Sequence, residues 1–171
     1  MDIGYTVAIL EDRATVQVDI DLHHLTRPTT RLAIPTWTPG AYGIRRSGDR
    51  IDNFTAKSGN RALTVLKIDP LTWSIDTDGI ESMQVSYRIK QRPRRFGSRA
   101  TGDNKTGMQV SGPGTYMYVV GQKDRPVTVR YELPQGWKLA NGLLTTADPM
   151  LRRARDYDTF IDAPTIFGIF K

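Results

Sequence analysis

The sequence contains no cysteine and only two histidines, the adjacent His23 and His24, in 171 residues. The first absence excludes a disulfide framework, a thiol nucleophile and Cys-based structural zinc sites. The second leaves any His-only metal site dependent on two neighbours, which point to opposite faces if they lie on a strand. A polar strand end is the simpler reading of the pair. No stretch approaches the ~18 apolar residues of a membrane span. Residues 1–10 lack a basic region followed by an apolar core. With no signal peptide visible, a cytoplasmic location is favoured over a periplasmic one, and no membrane partner is expected. HExxH, GxSxG, P-loop and GxGxxG patterns are missing as well, so no catalytic motif announces itself.

What is present has the size of one domain, 1–171, and at this length roughly 70% of the unfolded chain's surface is buried on folding. Strand patterns dominate. Residues 15–22 (TVQVDIDL) place Val16, Val18, Ile20 and Leu22 on one face and Thr15, Gln17, Asp19 and Asp21 on the other. That period of two marks a half-buried strand. Residues 5–9, 31–34, 62–68, 73–76, 83–89, 116–120, 127–133 and 166–170 read similarly, rich in β-branched and aromatic side chains. Gly59-Asn60 and Asp78-Gly79 supply residues that tolerate the positive φ of tight hairpin turns. Only residues 148–160 have helical potential, without a clean apolar stripe. The expected fold is an all-β antiparallel β-sandwich with at most one or two short helical turns. Residues 97–114 (GSRATGDNKTGMQVSGPG) read as a loop, and a long mobile loop is expected over about 91–114.

The net charge of +6 is localised. Arg88, Lys90, Arg92, Arg94, Arg95 and Arg99 fall within residues 88–99 with no acid among them, and without these six the chain carries 18 basic and 18 acidic residues. The stretch offers phosphate contacts, with Phe96 for base stacking. The plainer reading is an exposed basic strand end, which also deters edge-to-edge pairing. Asp19 with Asp21, and Asp156 with Asp158 and Asp162, are conceivable Ca²⁺ loops or glycosidase-like pairs. A solvated strand face and a helix start outweigh those readings, because neither cluster has the EF-hand spacing.

Residues 35–46 (PTWTPGAYGIRR) carry the other informative pattern. Pro39-Gly40 fits the central positions of a type II turn. Trp37 and Tyr42 flank it and Arg45 is close by, so the segment suits either a plug at one end of the sandwich or an aromatic docking platform.

Here the sequence resembles the N-terminal domain of metallopeptidase family 61, the glycyl aminopeptidase-like peptidases. The resemblance rests on Pro35, Trp37, Pro39, Gly40, Tyr42, Ile44 and Arg45, then Asp52 and Phe54. It continues through Trp73, residues 124–140 (DRPVTVRYELPQGWKLA) and residues 156–170 (DYDTFIDAPTIFGIF). It spans about 5–170. It implies a β-rich, non-catalytic accessory domain that precedes a thermolysin-like catalytic domain, packs on it and walls one side of the peptide cleft. No catalytic or metal-binding residue is expected on this chain. The zinc belongs to the catalytic domain, which is the expected partner, and the peptide substrate is contacted indirectly. Trp37, Pro39, Gly40, Tyr42 and Arg45 are the expected interface or cleft-wall loop. The basic patch Arg92, Arg94, Arg95 and Arg99 falls where the family usually has an apolar, aromatic-containing strand. The alternative is a stand-alone β-sandwich binding a polyanion or nucleic acid through residues 88–99, with nucleic acid disfavoured. A carbohydrate platform on Trp37 and Tyr42 ranks last.

Overall fold

The computed structural model describes residues 1–36, 47–91 and 106–170. In chain order its strands are β1 (Asp2–Ile9), β2 (Thr15–His23), β3 (Thr29–Ala33), β4 (Ile51–Ser58), β5 (Arg61–Ala62), β6 (Val65–Asp69), β7 (Thr72–Asp76), β8 (Ser82–Lys90), β9 (Gly107–Val110), β10 (Tyr118–Val119), β11 (Val127–Glu132), β12 (Lys138–Asn141), β13 (Leu144–Thr145), β14 (Leu151–Ala154) and β15 (Thr165–Gly168). One six-residue helix, α1 (Tyr157–Asp162), precedes β15, and short 3-10 turns occupy Ser47–Arg50 and Gly112–Gly114.

Alternation builds the first layer. In β2, Val16, Val18, Ile20 and Leu22 are completely buried, each worth about 1.5–3 kcal/mol relative to exposure. Antiparallel pairing sets these beside Tyr5 and Val7 of β1 on one side and Val85, Tyr87 and Ile89 of β8 on the other. The full sheet runs β13-β14-β11-β1-β2-β8-β4-β5. The second layer is two smaller sheets, β10-β3-β7-β6 and β12-β15-β9. Aromatic pairs join the layers: Phe54 of β4 stacks on Trp73 of β7 at 5.2 Å between ring centroids, and Tyr131 of β11 meets Phe167 of β15 at 5.5 Å. All three sheets drain into one apolar core.

The all-β sandwich matches the alternation, and both predicted turns carry glycine at positive φ, 55° at Gly59 and 68° at Gly79. One pairing departs from the antiparallel pattern: β1 and β11 run parallel. A tight hairpin cannot connect parallel strands, and here the chain traverses the whole four-stranded sheet and β9 between the two, which frees the orientation. The expected strand over 62–68 divides into β5 and β6. Residues 116–120 keep only the two-residue β10. Residues 148–160 contain β14 as well as the start of α1.

The segment expected as a loop over 91–114 proves different at its end. Residues 92–105 lie outside the described residues. Residues 107–110 form β9, and Gly112, Pro113 and Gly114 are buried in a 3-10 turn. Small residues there mark close packing. A Cβ on Gly112 would lie 2.1 Å from the carbonyl oxygen of Ile161 in α1, a contact no side chain can make.

Gly112→Ala is therefore expected to destabilise the domain by about 1–3 kcal/mol, the range for overpacking. Gly142→Ala, where nothing lies within 4 Å, should stay within about 0.5 kcal/mol of the parent. Thermal unfolding of both variants checks the pair, and equal midpoints would contradict the packing.

Candidate functional site

Trp37, Pro39, Gly40, Tyr42 and Arg45, and likewise Arg92, Arg94, Arg95 and Arg99, lie outside the described residues. What the structure describes is how the segments carrying them are rooted. Before the aromatic segment, buried Ile34 donates its amide to the Leu71 carbonyl at 3.0 Å. After it, Gly48 sits so close to the same turn that a Cβ would lie 2.0 Å from the Pro70 carbonyl oxygen. Both ends of the segment thus converge on the β6–β7 turn, which Asp69 braces by accepting the Leu71 amide at 2.8 Å. That bond leads the effects holding the exposed Asp69 carboxyl below the usual carboxylate range.

Arg50 links this root to that of the basic segment. Its guanidinium donates to the Gly114 carbonyl at 2.9 Å, to the Ser47 hydroxyl at 3.4 Å and to the Lys90 carbonyl at 3.4 Å. The next residue, Gln91, is buried, donating its amide to Ala14 and its side-chain nitrogen to the Thr115 hydroxyl at 3.0 Å. The aromatic and basic segments therefore leave the sandwich beside one arginine.

Gly114 belongs to a buried irregular strap between β9 and β10. Four consecutive carbonyls of this strap each accept from a different side chain. Arg50 serves Gly114. Tyr87 of β8 serves Thr115 at 2.9 Å, Tyr157 of α1 serves Tyr116 at 2.6 Å, and Tyr5 of β1 serves Met117 at 2.7 Å. The Met117 amide donates back to the Tyr87 hydroxyl at 3.0 Å. Burial drives the phenols of Tyr5, Tyr87, Tyr116 and Tyr157 well above their ordinary pKa, and that of Tyr131 up to about 12.

Asp52 and Phe54 sit on a β-bulge in β4. The register with β8 shifts between Asp52 and Thr55, and Asn53 takes the extra position with φ of 53°. The inserted residue lets Ile51 and Phe54, three apart, both face the core. Phe54 then stacks between Trp73 and Tyr87.

Residues 5–169 match the protein family described as the Peptidase M61 N-terminal domain. The chain belongs to that family. Among solved structures, 97% of the M61 N-terminal domain superposes on 29% of an aminopeptidase N family protein from Idiomarina loihiensis, with a TM-score of 0.84 and 23% identity. All of it covers 28% of yeast LTA4 hydrolase in complex with bestatin, with a TM-score of 0.54 and 7% identity. These likenesses show a shared fold, and the chain spans less than a third of either protein. No curated protein matches it by sequence.

In this M61 domain the remaining polar candidates resolve into structural roles. Asp19 accepts from Ser86 and from Gln17, and Asp21 accepts from Gln84 at 2.9 Å, a polar ladder across β2 and β8. Arg88, first of the basic run, joins it by donating to Gln17 at 2.8 Å. Asp156 caps α1, accepting the Thr159 amide at 2.6 Å; hydrogen bonds from Thr159 hold its carboxyl below the usual range. Asp158 pairs with Lys123 at 3.7 Å. His23 ends β2, while His24 turns away at φ 59° and meets the exposed Asp2 carboxylate at 3.1 Å. No group of three or more His, Cys, Asp or Glu among the described residues could hold a metal ion. Zinc therefore has no fitting set of ligands in the described part of this domain. Nor is any helix among the described residues long and apolar enough to cross a membrane.

Sequence reasoning missed Arg50 and the tyrosine-held strap. The available signal was Gly-Pro-Gly at 112–114, read as loop composition rather than as tight packing.

The raised phenol pKa values carry a sign. A folded pKa above the unfolded one means stability that is intact below about pH 10 and lost as pH rises beyond it. The buried tyrosines should form phenolate only as the fold collapses, so phenolate absorbance and far-ultraviolet circular dichroism should change together. Ionisation of these tyrosines near pH 10 with the fold intact would contradict the arrangement.

Proposed function

We propose that this chain is the non-catalytic N-terminal domain of a zinc aminopeptidase-like protein, packing on a thermolysin-like catalytic domain and walling its peptide cleft. The domain's family membership supplies the class. One observation carries the packing: Ile166, Ile169 and Phe170, at the end of the domain, are 37%, 62% and 36% exposed. Exposed Ala140 pairs in register with Ile166 and extends the apolar surface along β12. Three large exposed apolar side chains within residues 166–170 suit burial against a second domain of the same polypeptide.

In this reading Trp37, Pro39, Gly40, Tyr42 and Arg45 form the wall of the cleft, and the peptide is contacted at its edge rather than cleaved here. The common root of the aromatic and basic segments at Arg50 supports a stiff base for that wall. Zinc and the water it activates belong to the catalytic domain, since three protein ligands with an open position are needed for that chemistry.

The isolated chain is expected to bind no stoichiometric zinc and to release no amino acid from peptides. Stoichiometric metal together with turnover by the purified chain would overturn the reading. In a polypeptide joining this domain to the catalytic domain, Ile169→Asp with Phe170→Asp should lower kcat/KM at least about tenfold, the effect of losing about 1.4 kcal/mol of positioning energy. The same pair should leave the isolated domain's unfolding midpoint unchanged. Full activity in the joined protein would remove the proposed interface.

A further inference from the structure

A cavity of about 250 Å³ opens where β3 meets β10, the edge strand of the four-stranded sheet. Alternation along β3 sends Thr30 and Leu32 inward, where the Thr30 hydroxyl pairs with that of Thr77 at 3.1 Å. Thr29 and Arg31 consequently face outward, and Arg27, Gln122 and the apolar side chains of Met1 and Val120 join them around the cavity, while Val119, opposite Leu32, turns into the core. A turn closed by the Gln122 amide on the Val119 carbonyl, with Gly121 at φ 78°, brings Gln122 round to face β3.

The polar groups there share one polarity. Among the described residues no Asp or Glu lines the cavity, and neither Arg27 nor Arg31 is in an ion pair. The nearest acid in register is Asp76, opposite Thr29 on β7, and it accepts the amide of Asp78 at 3.2 Å. Gln122 uses its carbonyl oxygen to accept from Arg125 at 3.2 Å, which leaves its NH₂ as a donor. Two guanidinium forks, a hydroxyl and an amide NH₂ thus share the cavity with the apolar Met1 and Val120. Guanidinium forks match carboxylates bidentately. The volume lies just below the range of drug-sized pockets, which suits a smaller occupant.

We propose that this cavity binds a small organic anion, a carboxylate carried on a short apolar body. The charge would sit between Arg27 and Arg31, and the apolar part would cover Met1 and Val120. This site is separate from the interface at residues 166–170 and does not depend on the proposed function.

N-acetyl-L-leucine is a suitable probe and inorganic phosphate tests charge alone, both titrated into the 171-residue chain at low ionic strength with amide chemical shifts as readout. Saturable shifts confined to residues 27–31 and 119–122 are expected with N-acetyl-L-leucine, and weaker ones with phosphate. Arg31→Ala should weaken binding about tenfold or more, the scale of a lost charge-assisted hydrogen bond. Arg31→Lys should recover part of that loss, and Arg61→Ala on β5 should cause none. Unfolding midpoints of the variants separate lost binding from lost folding. No saturable shift, phosphate binding as tightly as N-acetyl-L-leucine, or an unaffected Arg31→Ala would each overturn the proposal.

Discussion

The structure depends on how a stretch of backbone that belongs to no sheet keeps its hydrogen bonds while buried. Unpaired carbonyls in an apolar interior cost about 1–3 kcal/mol each. Between Gly114 and Met117 four successive carbonyls avoid that cost through Arg50, Tyr87, Tyr157 and Tyr5. The donors come from the turn before β4, from β8, from α1 and from β1. One strap therefore ties the large sheet, the helix and the root of the aromatic segment together. It also joins β9 of the three-stranded sheet to β10 of the four-stranded sheet, so the second layer is assembled around it.

In the proposed reading, this arrangement lets a domain without a metal site in its described part serve a metallopeptidase. Arg50 reads the position of the strap and passes it to the bases of both segments that the sequence singled out. Stiffness at the base is what a cleft wall requires, because misplacement of a positioning group is costly to catalysis. In that reading, exposed Ile166, Ile169 and Phe170 supply the complementary requirement, a face with which to lean on a neighbour. In the proposed reading the domain contributes geometry, and the chemistry is done elsewhere.

The sandwich was legible because alternation is a local signal. Residues 15–22 declare their buried face by composition alone, and Gly59 and Gly79 declare their turns. Membership of the family was legible too, from spaced motifs such as Pro39-Gly40 and Asp52 with Phe54. The strap was not. Tyr5 and Tyr87 fall in expected strands and Tyr157 in the stretch with helical potential, and the destination of a hydroxyl is a tertiary fact. Its own sequence, Gly-Pro-Gly-Thr, has the composition of a solvent loop, yet Gly112 is small because Ile161 lies against it. Likewise the two-residue β10 and β13 are too short to show a period, and β1 against β11 could not be read as parallel without the path between them. The candidate residues of the aromatic and basic segments were named from sequence, while only their roots are described.

The central claim is that tyrosine hydroxyls hold the strap. The Met117 amide, which donates to the Tyr87 hydroxyl at 3.0 Å, reports on it directly. Hydrogen exchange at that amide should be as slow as at the middle of β2. In Tyr87→Phe it should accelerate markedly, with a global loss of about 1–3 kcal/mol. An equally slow Met117 amide in Tyr87→Phe, at unchanged stability, would contradict the account.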